Sequence, residues 1–111
     1  MPKGQNLGEA EHLVLLAAFR LGADATGADI RDEVARRTGR DLTVSAVYVT
    51  LLRLERKGMV TSELGDPTPV RGGKARRHFT VSPHGVELLY DARERFDRMW
   101  EGLGPAPTGD A

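Results

Sequence analysis

Apolar residues crowd "LVLLAAF", Leu13 to Phe19, so densely that they cover nearly every side of a helical turn. The run predicts a first helix from about Gly8 to Arg20, buried on more than one side. In a chain of 111 residues, part of that cover is expected from another subunit. "LGADATG" breaks this helix. A second is predicted from about Thr26 to Thr38, with Ile30 and Val34 as a narrow apolar stripe, Thr26 and Asp29 as a capping box, and Gly39 as the stop. "GRDL" makes a turn in which Leu42 is expected to plug the corner. Thr43 then caps a third helix that ends at Gly58. Val47, Leu51 and Leu54 recur at i, i+4 and i+7 and mark its core face. Ser45, Val49, Leu52, Arg53 and Arg56 fall opposite, a mixture of hydroxyl, aliphatic and arginine that suits a surface touching something.

The periodicity then changes to that of strands. Met59–Leu64 and Arg76–Val81 read as extended segments, the second with Arg77, Phe79 and Val81 on one side and Arg76, His78 and Thr80 on the other. Asp66-Pro67 and Pro69 exclude helix between them, and Gly72-Gly73 supply a tip, so the pair forms a β-hairpin. Ser82 caps a last helix with Pro83 in its first position, running to about Glu101. Along it Leu89, Ala92, Phe96, Met99 and Leu103 recur at spacings of 3, 4, 3 and 4. That seam needs cover, and a second copy of the chain is the simplest source. Residues 1–6 and 104–111 read as tails.

Charge sharpens the picture. The chain is neutral, with 16 Lys/Arg and 16 Asp/Glu, but from Arg31 to Thr80 it carries 11 basic against 6 acidic side chains. Arg71, Lys74, Arg76 and Arg77 cluster at the hairpin with no acid from Arg71 to Ser82. Helix, helix, turn, helix and hairpin in that order make a winged helix-turn-helix: a mainly α fold with a small β-hairpin, residues 7–82 as the DNA-binding domain and residues 83–103 as a C-terminal dimerisation helix. A helix about 12 Å wide fits the major groove of DNA. There Ser45 can bond a base or phosphate, Val49 can meet a thymine methyl, and Arg53 can reach guanine or phosphate; Thr43 and Ala46 share that end of the helix. On the wing, Arg71, Lys74, Arg76 and Arg77 would neutralise phosphates, while Gly72 and Gly73 let backbone approach backbone. A rival keeps the fold but makes it a protein-interaction module, favoured by Val49 and Leu52 on the same face.

Other chemistry finds no support. There is no cysteine, so no disulfide or thiolate site, and the longest apolar run is far too short for a membrane span. No secretory signal pattern opens the chain, and a soluble cytoplasmic protein is expected. His12, His78 and His84 lack metal-ligand spacing. "GGK" at Gly72–Lys74 lacks the P-loop glycine spacing and its Ser/Thr. Neither an enzyme nor a cofactor is expected.

Several strings resemble the PadR family of bacterial transcriptional regulators: "LGEAEHLVLLA" at Leu7–Ala17, "TGADI" at Thr26–Ile30, "SAVYVTLLRLERKGMV" at Ser45–Val60 and "GDPTPVRGGKARRHFTVSPHG" at Gly65–Gly85. The single helix after the wing is similar to the smaller subfamily. The resemblance implies a homodimer on a palindromic operator, paired through the last helix alongside the first, here through Leu13, Leu16, Leu89, Ala92, Phe96, Met99 and Leu103. It implies a repressor released by a small ligand or other signal. In some relatives the last helices line a cleft for flat apolar effectors whose aromatic position matches Phe96, with Trp100 one turn further on; the alternative is that both residues simply pack the dimer core. It also implies a phosphate or structural role for Tyr48. Thr26 and His78-Phe79 depart from the family's usual aromatics at those positions.

Overall fold

The computed structural model describes residues 7–65 and 76–107. Four helices and one hairpin follow in chain order: α1 Glu9–Leu21, α2 Gly27–Thr38, α3 Val44–Arg56, β1 Val60–Leu64, β2 Arg77–Val81 and α4 Pro83–Trp100. Each matches its predicted span to within one or two residues.

The helix starts follow from local hydrogen bonding. The Thr26 hydroxyl accepts from Asp29 N, and the Asp29 carboxylate accepts from Thr26 N, at 3.2 and 3.1 Å. Thr43 and Ser82 cap α3 and α4 by accepting from Ala46 N and Gly85 N. Each cap satisfies a backbone donor that the first helical turn leaves without a partner. Gly8 has no side chain with which to cap α1, so only the return half of the box forms, from Gly8 N to the Glu11 carboxylate.

One core joins all the elements. Val14, Leu15 and Ala18 of α1, Ile30 and Val34 of α2, and Val47, Leu51 and Leu54 of α3 converge on Met59, Val60 and Phe79. The predicted stripes of α2 and α3 are therefore the buried ones, and Leu42 packs against the core at the corner. Arg31 fixes that corner by donating to Leu42 O and ion-pairing with Asp41.

The strands pair antiparallel, with Ser62 opposite Phe79 at the centre. A feature beyond the predicted hairpin is a one-residue third strand: Phe79 N donates to Ala25 O at 2.8 Å. His78 Nδ1 lies 2.8 Å from the neighbouring Asp24 O. The α1–α2 connection, expected only to break a helix, thus also anchors the hairpin.

The predicted seam of α4 divides. Leu89 is 4% exposed and Ala92 is also buried within the chain, whereas Phe96, Met99 and Trp100 are exposed. Leu103 falls past the helix end, contrary to the heptad pattern. Gly102 takes a φ of 85°, a conformation that favours glycine, and Leu103 N turns back to Trp100 O.

Glu33 ties α1 to α2. Its largely buried carboxylate accepts from Arg37 and Arg36 at 2.6 Å each and from Arg20 at 3.1 Å. The hydrogen bonds from Arg37 and Arg36 outweigh burial and, with Arg20, hold its carboxyl down to about 2. A carboxyl depressed in the folded state stabilises fully above its ordinary value of 4.5 and loses that contribution as pH falls toward about 2. Glu33→Gln is therefore expected to melt lower than wild type at neutral pH and to lose less on acidification. Melting curves recorded over that range should converge; parallel curves would show that Glu33 does not carry this dependence.

Candidate nucleic-acid interface

The outward face of α3 is built by default: three buried aliphatic residues on one side commit the other to solvent. Ser45, Ala46, Val49, Arg53 and Arg56 are exposed there, and Leu52 is half-buried, while Val44 is exposed at the start of the helix. Thr43 is exposed beside them, with its hydroxyl occupied as the cap. Tyr48 is also exposed, while one side of its ring turns toward the hairpin. Its ring meets Phe79 edge-on, centroids 6.0 Å apart at 80°, so the residue touches the core and solvent at once.

The arginines of this region differ in their freedom. Arg53 Nη1 lies 4.0 Å from Glu11, and Lys57 Nζ lies 3.0 Å from the same carboxylate. Arg56 is exposed and has no ion pair among the described residues. At the hairpin base, Arg77 donates to Ser62 Oγ at 2.9 Å, and Ser62 in turn donates to Glu55 at 2.7 Å. Arg76 is exposed. Among the described residues no hairpin cation pairs with an acid of α4, whose ion pairs are internal, Arg93–Asp97 and Arg98–Glu94. Arg71, Gly72, Gly73 and Lys74, the predicted tip, lie outside the described residues.

A second feature lies on the other side of α1. His12, Leu16, Phe19 and Arg20 face Leu89, Tyr90, Arg93, Phe96, Asp97 and Trp100 across an open groove of about 580 Å³. Phe19 and Tyr90 close part of it edge-to-face, centroids 6.2 Å apart. Phe96 at 60% and Trp100 at 63% exposed lie in its wall, and Met99 extends the apolar surface along α4. Phe19, Tyr90, Phe96 and Trp100 thus gather exposed aromatic surface along one side of the chain. Burial and the neighbouring Arg95 push the His12 imidazole below its ordinary value, which favours the neutral ring. Leu16 faces this groove, whereas Leu13 packs against the chain's own core.

Of the predicted dimer residues, Leu16, Phe96, Met99 and Leu103 are thus exposed in the chain, and Leu89 and Ala92 are not. Tyr90, Phe19 and the Glu11–Lys57 pair escaped the sequence reading. Phe19 sat inside a run read as core, and Tyr90 falls one residue off the heptad. Glu11 and Lys57 stand 46 residues apart, so no local spacing joins them.

A winged helix-turn-helix with one helix after its wing is now in place, and the model of the PadR-like family of transcriptional regulators matches residues 15–97. The chain belongs to that family. Solved PadR-like structures share its fold. A PadR family transcription regulator from Clostridium difficile is 20% identical, with a TM-score of 0.68 over 83% of this chain and 91% of that one. A PadR-like transcription factor from Bacteroides fragilis reaches 0.70 at 16% identity, over 84% of each chain. The Bordetella bronchiseptica regulator BpsR, solved to explain how 6-hydroxynicotinic acid regulates its DNA binding, reaches 0.62 at 20% identity, over 95% of this chain and 73% of its own. No curated protein matches the chain. No helix of the PadR-like chain, among the described residues, is long and apolar enough to cross a membrane, and no cluster of metal-ligating residues occurs among them.

Proposed function

We propose that this PadR-like protein is a cytoplasmic, sequence-specific DNA-binding repressor that acts as a homodimer on a palindromic operator. Residues 7–82 bind DNA, and residues 83–103, alongside α1, join the two copies. The observation that carries the reading is the outward face of α3, where Ser45, Ala46, Val49 and Arg53 are exposed together on a helix whose opposite face is wholly buried. Base edges are read from such a face, while phosphate contacts set its register. The basic hairpin supplies the phosphate contacts through Arg71, Lys74 and Arg76, with Gly72 and Gly73 at the point of closest approach. Arg77, held by Ser62, serves more as a strut for the hairpin base than as a free cation.

The groove between α1 and α4 supports the rest. Leu16, Phe96 and Met99 give a second copy an apolar surface to cover, and the cavity beside Phe96 and Trp100 suits a flat aromatic effector. The effect of 6-hydroxynicotinic acid on the DNA binding of BpsR favours an effector of that size.

Selection from random duplex DNA at moderate salt tests the reading. A two-fold symmetric motif is expected; no enrichment would favour the protein-interaction reading, to which exposed Val49 and half-buried Leu52 would then belong. With the motif in hand, replacing Arg71, Lys74 and Arg76 together by Ala should weaken binding to all sequences and flatten its salt dependence. Ser45→Ala should instead change preference at one base position, by about 0.5–1.5 kcal/mol as for a single neutral hydrogen bond. Titration against matched and mismatched duplexes separates the two effects, and uniform loss from both variants would contradict this division of roles.

A further inference from the structure

Glu11 stands apart from the machinery described so far. It is a buried carboxylate on α1, yet the cations it gathers come from the C-terminal end of α3, Arg53 in its last turn and Lys57 just past it. Lys57 donates to both its oxygens, at 3.3 and 3.0 Å, and Gly8 N donates at 3.1 Å. Arg53, from the outward face of α3, leans to within 4.0 Å without forming a hydrogen bond. Lys57 is mostly covered, whereas the Arg53 side chain is 49% exposed. The two cations are therefore unequal. Lys57 closes the end of α3 onto α1, which a structural tie requires. Arg53 needs no such contact to hold the fold, and its approach partly cancels a charge that would otherwise face a duplex.

We propose that Glu11 is a positioning residue for DNA recognition: it restrains Arg53 as an internal counter-charge, so that the arginine contributes little to indiscriminate attraction and engages only where a well-docked phosphate or guanine replaces the carboxylate. The proposal rests on the DNA-binding reading. Binding to phosphate is driven by counterion release, so a cation already neutralised within the protein contributes less to it. Specificity is the gap between the right and wrong duplex, and lowering affinity for the wrong one widens it. Burial pushes the Glu11 carboxyl up, but its hydrogen bonds from Lys57 and Gly8 hold it below the ordinary range, so it remains charged at neutral pH.

Glu11→Gln keeps the shape and the acceptor oxygen while removing the charge. Its affinity for a duplex of random sequence, followed by fluorescence anisotropy across a salt series, should rise about threefold to tenfold at low salt. The salt slope should steepen by roughly one released counterion per chain. Adding Arg53→Ala should abolish this gain, and Glu11→Asp, which keeps the charge, should retain the wild-type slope. An unchanged slope in a folded Glu11→Gln protein, or a gain that persists without Arg53, overturns the proposal.

Should Glu11→Gln fail to fold, single variants decide the matter. Arg53→Ala should then lose less random-duplex affinity than Arg56→Ala, because Arg56 is exposed and has no ion pair among the described residues. An equal or larger loss from Arg53→Ala refutes the restraint. If wild type itself shows no salt-dependent duplex binding, the DNA-binding reading falls, and this proposal with it; that failure is visible before any variant is made.

Discussion

Phe79→Ala is expected to remove about 4 kcal/mol of stability and to lower the melting temperature by on the order of 20 °C. Phe79 is fully buried and is among the largest side chains in the core. It sits where three elements meet: its ring supports Tyr48 of α3, its strand pairs with β1, and its N–H reaches Ala25 between α1 and α2. Truncation to Ala leaves a cavity walled by helices that are also held by their own caps and ion pairs, so collapse around it is limited. Domains of this size have about 5–15 kcal/mol in hand, so the variant should fold at low temperature and melt early. Circular dichroism against temperature measures it, and a melting point within a few degrees of wild type would remove Phe79 from the centre of the core. Duplex binding should fall along with stability, because Tyr48 loses the ring that fixes its side of α3.

Gly85→Ala should also destabilise, which reverses the usual helical preference. Within a helix, Ala is favoured over Gly by about 1 kcal/mol. At Gly85, in the first turn of α4, a Cβ would stand 2.2 Å from Met59 O and 2.8 Å from Val81 Cγ1. Backbone oxygen is a poor neighbour to displace here. Ser82 N donates to that same Met59 O, and Ser82 Oγ donates to Gly58 O. Relief therefore requires α4 to back away from the α3–β1 corner, with a net cost of about 2–3 kcal/mol from overpacking. Thermal or urea unfolding gives the sign directly. A stabilised Gly85→Ala protein would show that α4 does not seat this closely. A displaced α4 would also carry Phe96 and Trp100 with it and alter the groove they share with α1.

How much of this was legible in the sequence depends on the range of the interaction. Thr26, Thr43 and Ser82 act on backbone donors three residues ahead, and short spacing in the sequence is short distance in the fold, so the starts of α2, α3 and α4 could be read. Val47, Leu51 and Leu54 followed from helical period alone. The same reasoning placed Ser45, Val49 and Arg53 outward, because a buried face determines its opposite. It failed where contact is between distant segments. Leu89 and Ala92 fit a seam for a second copy, yet α1 and the core cover them first, and no periodicity distinguishes one apolar cover from another. Tyr90, one residue from Leu89, joins Phe19 in the groove for a reason visible only once α1 and α4 are side by side. Glu11 carries no local signal of its role, because Lys57, its partner, lies 46 residues further along the chain.

The link between Ala25 and Phe79 has a consequence for descent. It is made by one carbonyl and one amide, groups that every residue except proline brings to position 79 and that every residue brings to position 25. Mutation can rewrite the side chains around such a bond over long lineages without touching it. A wing fastened in this way travels through divergence as a property of the chain's course, which suits a fold still shared with a Clostridium difficile regulator at 20% identity. Side chains on the outer surface of α3 carry no such backbone guarantee, and replacing them changes that surface without touching the bonds that hold the fold.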